Sequence, residues 1–105
     1  MQEPTFLILT ALAAGAQHGY GIMSDVAHIS QGRVRLRAGT LYAALDRLRT
    51  DGLVESDKEE IVGGRLRRYY RISEEGASSL AAEVEHMRAN AAAAAFRLGL
   101  AEETA

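Results

Sequence analysis

The 105-residue sequence has no cysteine, no tryptophan and a single proline. The lack of cysteine excludes a disulfide framework and a thiolate zinc site, and it suits the reducing cytoplasm, where we expect the protein to act. No apolar run approaches the roughly 18 residues that a membrane-spanning helix needs. The start, Met1-Gln-Glu-Pro4, lacks the basic segment of a signal peptide. We therefore expect one globular domain with a single core.

Groups that could perform catalysis are also sparse. The three histidines, His18, His28 and His86, are scattered along the chain, and no pair of carboxylates stands in a recognisable motif. His18 lies in a glycine-rich turn, where it is expected to cap or order the turn, and His86 is expected at the surface of a helix. We therefore predict a protein that is not an enzyme, with no catalytic residue, no metal ligand and no cofactor.

The net charge of −2 conceals an uneven distribution of charge. The segment from Arg33 to Arg71 contains ten basic and six acidic residues, a net charge of +4, whereas the rest of the chain carries −6. A basic middle between acidic flanks is the pattern expected of a nucleic-acid-binding surface in a chain whose overall pI is acidic.

The centre of this basic segment reads as a helix from Ala38 to Asp51, because Leu41, Leu45 and Leu48 recur on one stripe and Gly52 stands at the expected C-terminal position. The opposite side has small residues in its first turn and arginine in its later turns. It holds Gly39, Thr40, Ala43, Asp46 and Arg47, flanked by Tyr42 and Arg49. A small-residue end permits close approach to another surface, and the arginines suit a polyanion.

Three arginines, Arg33, Arg35 and Arg37, precede this helix where acidic or capping residues are usual. Their charge opposes the helix dipole, and a bound phosphate group would relieve that conflict. The alternative is a solvated basic loop beside an ordinary amphipathic helix. The residues alone leave both interpretations open.

The remaining pattern predicts a winged helix-turn-helix. An apolar helix opens at Pro4, a turn spans Gly15 to Gly21, and a second helix covers about Gly19 to Ile29. After Gly52 the period changes from 3.6 to 2, which predicts a β-hairpin with strands Leu53–Lys58 and Arg65–Ile72 and a link over Glu59–Gly64. The arginines of the second strand could bind nucleic acid, or they could simply protect a sheet edge from pairing.

The last helix begins with Ser73-Glu-Glu75 and carries apolar residues at alternating spacings of three and four from Leu80 to Leu98, as in a coiled-coil seam. Because the first helix is also apolar nearly all round, we expect both helices to pack against a second copy of the chain rather than the last helix folding back on its own wing. The predicted dimer interface comprises Phe6, Leu9, Leu80, Val84, Met87, Ala91, Ala94 and Leu98. Phe6, Met87 and Phe96 are a candidate pocket for a small aromatic effector.

Several segments in this order and spacing resemble the PadR family of winged helix-turn-helix transcriptional regulators, in its short branch with one C-terminal helix. The resemblance covers Phe6 to Gly76 and is carried by His18-Gly-Tyr-Gly21, Gly39-Thr-Leu-Tyr42, Leu45-Asp-Arg-Leu48, Gly52-Leu-Val54 and Gly64-Arg-Leu-Arg-Arg-Tyr-Tyr-Arg-Ile-Ser-Glu-Glu-Gly76. The chain departs from the common family pattern at Arg37, Ala38, Ala43 and Leu66, and the last of these stands where a wing proline is usual.

The resemblance implies a DNA-binding repressor that acts as a homodimer, with the Gly-Thr-Leu-Tyr helix in the major groove and the wing arginines along the backbone or minor groove. The residues predicted to contact DNA are Arg37, Ala38, Gly39, Thr40, Tyr42, Ala43, Arg47, Arg65, Arg67 and Arg68. The predicted organisation is mainly α with a small β-hairpin: a winged helix-turn-helix domain over 1–73, a dimerisation helix over 74–100 and a frayed tail over 101–105. The alternative is a winged helix that binds only other proteins.

Overall fold

The computed structural model describes residues 1–100, so the predicted tail at 101–105 lies outside the described residues. The predicted fold class is confirmed, because helices surround a small antiparallel sheet in the order of a winged helix-turn-helix with a long last helix. The elements are α1 (Glu3–Ala13), β1 (Gln17–His18), α2 (Gly19–Ile29), α3 (Ala38–Thr50), β2 (Val54–Val62), β3 (Arg65–Ile72) and α4 (Glu74–Leu98).

The sheet differs from the predicted hairpin in two respects. It has three strands in the order β1-β3-β2, because Gln17 and His18, predicted as part of a turn, pair with β3. Strand β2 continues to Val62 and so includes most of the predicted link. Only Gly63 and Gly64 remain as the turn, with φ of 59° and 78°, which is the backbone a tight two-residue hairpin requires.

The extra length of β2 has a cross-strand cause. Glu59 lies opposite Arg68 and forms an ion pair with it, and Glu60 lies opposite Arg67 and accepts a hydrogen bond from Tyr69, so two acidic residues that are typical of a loop have partners on β3. A bulge between Ser56 and Glu59 shifts the register by one residue and makes this pairing possible.

The core lies where α1, α2 and α3 meet the base of the sheet. The predicted stripe of α3 is confirmed, because Leu41, Leu45 and Leu48 are buried. Helix α1 is buried on two sides, but by its own chain, since α2, β3 and α4 all pack against it. Leu9 is 0% exposed and therefore has no surface to offer a second copy. The assignment of Leu9 to the dimer interface is corrected for this reason.

One junction fixes α4 relative to α3 and the wing. The Ser73 hydroxyl donates a hydrogen bond to the Gly52 carbonyl (2.6 Å) and accepts one from the Gly76 amide (2.9 Å), while the Ser73 amide donates to the Leu53 carbonyl (3.0 Å). Gly76 lies so close to the Leu53 carbonyl that a Cβ atom would collide with it. The end of α3, the base of the wing and the start of α4 are thus joined at one point.

Candidate nucleic-acid interface

Helix α3 presents one face to the core and the opposite face to solvent. Leu41, Ala44, Leu45 and Leu48 are buried, and this fixes the rotation of the helix. The side chains predicted to contact DNA from this helix are all exposed: Ala38, Gly39, Thr40, Tyr42, Ala43 and Arg47. Nothing lies within 4 Å of the position that a Cβ atom of Gly39 would occupy, so the first turn is open to a surface that approaches closely.

The start of α3 lacks the usual stabilisation of a helix N-terminus. Arg37 occupies the N-cap position without a side-chain hydrogen bond, and the first turn has no acidic residue. The loop before it is nevertheless well built, because the buried Ser30 hydroxyl accepts a hydrogen bond from the Val34 amide (3.0 Å) and donates to the Val34 carbonyl (3.2 Å). The electropositive end of α3 therefore stands in a defined place, open to an anion.

The arginines of the basic segment fall into two groups. Four form ion pairs: Arg33 with Glu3 (3.2 Å), Arg49 with Asp46 (3.6 Å), Arg68 with Glu59 (3.1 Å), and Arg71 with both Glu55 and Asp57 (3.0 Å each). Within residues 1–100 the others have no carboxylate at ion-pair distance: Arg35, Arg37, Arg47, Arg65 and Arg67. These free arginines, as we call them, lie before α3, on its exposed face and in the wing.

The wing and α3 border a common cleft of about 280 Å³. Its walls come from the start of α2, from α3 and from the wing tip: His18, Gly19, Tyr20, Tyr42, Val62, Arg65, Leu66, Arg67 and Arg68. Gly19 lies directly under the Tyr42 ring, and a Cβ atom there would collide with the Tyr42 hydroxyl. The contact holds the flank of the exposed α3 face against α2, and the structure thus brings the predicted wing and helix residues to one surface.

His18 connects the wing to α2 and is confirmed as a capping residue. Its Nδ1 accepts a hydrogen bond from the Gly21 amide (3.3 Å), and its ring packs edge-on against Tyr69 with 5.3 Å between centroids. Tyr69 in turn donates a hydrogen bond to Glu60 (2.6 Å), which lowers the pKa of that carboxyl. Burial, with a smaller contribution from the nearby Arg67, lowers the pKa of His18.

The predicted dimer and effector residues lie along α4, which exposes most of its apolar side chains. Leu80 and Val84 are half-buried, Met87 is 47% exposed, Leu98 is 74% exposed, and Ala91 and Ala94 face solvent. Phe6 and Met87 do line a common cavity of about 430 Å³, together with Met1, Glu3, Leu7, Ile29, Arg33 and Glu83. Phe96 does not line this cavity and is 84% exposed.

The position of Phe96 follows from helix geometry. It stands nine residues after Met87, and at about 100° per residue that places it on the opposite side of α4. The candidate pocket is therefore corrected to Phe6, Met87 and their neighbours.

Other kinds of site find no support in the part of the chain that the structure describes. No group of three or more His, Cys, Asp or Glu side chains within residues 1–100 is placed to hold a metal ion. Over the same residues, no helix combines the length and the apolar character needed to cross a membrane.

Comparison with known proteins identifies the family. The family profile "Transcriptional regulator PadR-like family" matches residues 8–82. The chain belongs to the PadR-like family. A transcriptional regulator of Mycobacterium tuberculosis is 37% identical over 73 residues, which are 70% of this chain and 64% of that protein. The matched part thus spans somewhat less than two thirds of the relative's length.

Solved structures share the fold of this PadR-family chain. A transcriptional regulator from Clostridium thermocellum is 27% identical, with a TM-score of 0.71 over 82% of this chain and 83% of that one. A PadR family regulator from Clostridium difficile is 24% identical, with a TM-score of 0.77 over 92% and 99%. Bacillus subtilis PadR in complex with operator DNA is 20% identical, with a TM-score of 0.70 over 79% and 47%.

Sequence reasoning missed one feature of the site in this PadR-family regulator. Ile61, Val62 and Leu66 are exposed together at the wing tip. The pattern predicts a link over Ile61 and Val62, and it therefore predicts no strand face on which their apolar side chains would lie. The signal available in the sequence was Gly63-Gly64, a two-residue hairpin turn that requires strand immediately on both sides.

The lowered pKa of His18 predicts that the stability of this winged domain depends on pH. The unfolded chain binds a proton to His18 near the ordinary value of 6.5, whereas the folded chain does so only at lower pH. The stabilisation is therefore complete above about pH 6.5 and is lost as the pH falls through the folded value, because a protonated Nδ1 cannot accept the Gly21 hydrogen bond. The melting temperature of His18→Asn, which keeps a capping oxygen, should fall less between pH 7.5 and pH 5.5 than that of the parent. An equal fall in both proteins would contradict the assignment.

Proposed function

We propose that this PadR-family regulator is a sequence-specific repressor that binds a pseudo-palindromic operator as a homodimer in the cytoplasm. The observation that carries the proposal is the exposed face of α3, with its small first turn and with free arginines before it, on it and in the adjacent wing. The operator complex of the structurally similar Bacillus subtilis PadR supports the same mode of binding. Residues 1–73 would form the DNA-binding domain and residues 74–100 the dimerisation helix.

The small first turn of α3 suits entry into the major groove. Ala38, Gly39 and Ala43 would let the backbone approach the bases, and Thr40 and Tyr42 would reach base edges or phosphates from the same turn. Arg47 lies two turns further along the exposed face and has no carboxylate partner among the described residues, so its full charge is available for a guanine edge or a phosphate. Arg37 would meet a phosphate at the helix N-terminus.

The wing arginines divide by their partners. Arg65 and Arg67 have no ion pair within the described residues and would contact the DNA backbone directly. Arg68 is held at 3.1 Å from Glu59, so part of its charge is already neutralised. We therefore expect Arg68 to contribute less to DNA affinity than its neighbours, although an exposed pair of this kind is itself worth only about 0–1 kcal/mol.

Substitutions should separate base readout from backbone contact. Thr40→Ala and Arg47→Ala are each expected to weaken binding to the selected operator by about 1–3 kcal/mol and to relax specificity, because they remove contacts to base edges. Arg67→Ala should weaken all sequences alike and reduce the salt slope by about one. Fluorescence anisotropy with fragments selected from the source genome measures both effects.

The matched control for these variants is Arg97→Ala, which removes the same charge from an exposed position at the far end of α4. It should bind as the parent does. If the triple variant Thr40→Ala, Arg47→Ala, Arg67→Ala also binds as the parent does, the proposed surface is wrong. A parent that binds no duplex even at low salt would favour a winged helix used only for protein contacts.

The proposed dimer rests on the unburied side of α4. The helix has 25 residues and is about 37 Å long at about 1.5 Å per residue, yet Gly76 is its only buried residue. Its apolar positions from Leu80 to Leu98 follow the spacing of a coiled-coil seam and remain largely exposed in the single chain. A second copy would cover this seam and the exposed part of Phe6, and would hold two α3 helices at a fixed separation.

The double variant Val84→Asp, Met87→Asp places two charges in the proposed seam, where burial of unpaired charge costs several kcal/mol. Sedimentation at micromolar concentration should show a dimeric parent and a monomeric variant without operator affinity. The control is Ala89→Asp, which lies on the opposite side of α4 and should remain dimeric. A double variant that stays dimeric and binds DNA would mean that the subunits meet elsewhere.

A small aromatic effector would bind in the cavity of about 430 Å³ between α1 and α4. Phe6, Leu7, Ile29 and Met87 supply apolar walls, and the charged lining groups pair with one another, Glu3 with Arg33 (3.2 Å) and Glu83 with the N-terminus (3.6 Å). Such a ligand would act only by binding one spacing of the recognition helices better than another. Titration of cationic aromatic and phenolic compounds into the DNA complex should lower operator affinity. The proposed effector site is wrong if none of these compounds lowers operator affinity and Met87→Trp also leaves operator affinity unchanged.

A further inference from the structure

The tip of the wing carries apolar side chains that nothing in residues 1–100 covers. Ile61 is 76% exposed, Leu66 is 56% exposed and Val62 is 41% exposed. Burying such side chains against a partner is favourable, and a cluster of them at the end of a hairpin indicates a contact surface. Tyr70, five residues from the start of β3 at the tip, is the only buried residue of that strand. The tip therefore extends about 17 Å beyond the core, at about 3.3 Å per residue.

Cross-strand register divides the tip into two faces. Ile61 pairs with Leu66, so these two side chains lie together on one face. Val62 pairs with Arg65, and these two lie together on the other. The hairpin is thus a narrow blade with one face that is apolar at the tip, where Ile61 and Leu66 are followed towards the base by the Glu59–Arg68 ion pair, and one face that carries a free arginine.

Resting on the DNA binding proposed above, we propose that this blade enters the minor groove tip-first and that Ile61 and Leu66 determine specificity for deformable DNA. Charge favours DNA as the partner of the blade, because Arg65 and Arg67 have no ion pair among residues 1–100 and the tip borders the same cleft as Tyr42 on α3. The apolar pair would pack against the deoxyribose carbons of one strand, and Arg65 would meet the phosphates of the other.

The dimensions decide which DNA sequences suit such a blade. Side chains extend about 5 Å from each face of a sheet, so the blade is about 10 Å thick. The minor groove of B-form DNA is only about 6 Å wide, so it must widen or partly unstack to accept the blade. Pyrimidine–purine steps deform easily, whereas A-tracts are stiff and have a narrow groove. A wing that inserted a lone arginine would have the opposite preference, for the narrow groove of an A-tract.

The test compares two duplexes of about 30 base pairs that consist of A·T pairs between identical G·C ends, long enough for two half-sites about one helical turn apart. One alternates A and T and so contains TA steps, and the other is a continuous A-tract. Both display the same minor-groove hydrogen-bonding groups but differ in the major groove, so deformability is reported by the part of the preference that depends on the apolar face of the wing. Fluorescence anisotropy gives affinity, and energy transfer between dyes at the duplex ends gives the bend.

The variant is Ile61→Thr, Leu66→Thr, which removes the apolar face and retains strand-forming residues. Its matched control is Ile61→Val, Leu66→Val, which keeps the face apolar. Arg65→Ala provides a second comparison, because it removes charge from the opposite face. All substituted positions are exposed, so equal melting temperatures should establish that the variants fold.

We expect the parent and the valine control to bind the alternating duplex about tenfold more tightly than the A-tract and to bend it. The threonine variant should bind the two duplexes within about twofold of each other, and Arg65→Ala should lose affinity for both alike while keeping the preference. Equal binding of both duplexes by the parent, a preference for the A-tract, or a preference that survives in the threonine variant would overturn the inference and leave the proposed regulator intact. Failure to bind either duplex by a parent that binds the selected operator would overturn the inference alone, and failure to bind any duplex, the operator included, would overturn both.

Discussion

The geometry of the molecule depends on one buried hydroxyl. Ser73 links the carbonyl that follows α3 to the first turn of α4, and its own amide bonds to Leu53 at the base of the wing. Gly76 permits this because the backbone of α4 starts in contact with the Leu53 carbonyl, where any side chain would collide. Because three elements meet within a few residues, the direction of α4 is fixed relative to the exposed face of α3. A dimer built on α4 would therefore also set the distance between its two α3 helices.

Acidic residues determine which arginines remain available. The basic segment is only +4 in net charge, yet its carboxylates are not spread evenly among its cations. Those of β2 face the base and middle of β3, where they pair with Arg68 and Arg71 and stabilise the sheet. Five arginines are left without such partners in the described chain: Arg35 and Arg37 before α3, Arg47 on its exposed face, and Arg65 and Arg67 in the wing. Ion pairing thus confines the positive charge to the surface that would meet DNA, which explains how an acidic chain can present a basic face.

Features set by local chemistry could be predicted from the sequence, and features set by contacts between distant segments could not. Helix α3 and helix α4 begin and end almost where Gly52, Ser73 and the apolar stripes predict. The wing was predicted too short because Glu59 and Glu60 look like loop until their arginine partners on β3 are known. Leu9 was misplaced for a related reason: an all-apolar helix indicates burial on two sides but does not say whether its own chain or another supplies the second side. The residues of the exposed α3 face could be predicted because the helical period alone places them on the side opposite the buried leucines.

Two aromatic contacts make the wing and the helix-turn-helix one unit. His18 caps α2 and packs on Tyr69 of the wing, while Gly19, the next residue, receives the Tyr42 ring of α3. A side chain at Gly19 would displace the outer end of the Tyr42 side chain, so the small residue permits this close contact between α2 and α3. A ligand between α1 and α4 would therefore have little means of moving the wing relative to α3 within one subunit. In the proposed dimer it would have to act on the angle between subunits, through the long α4, where a small rotation at the proposed seam would become a large displacement of α3.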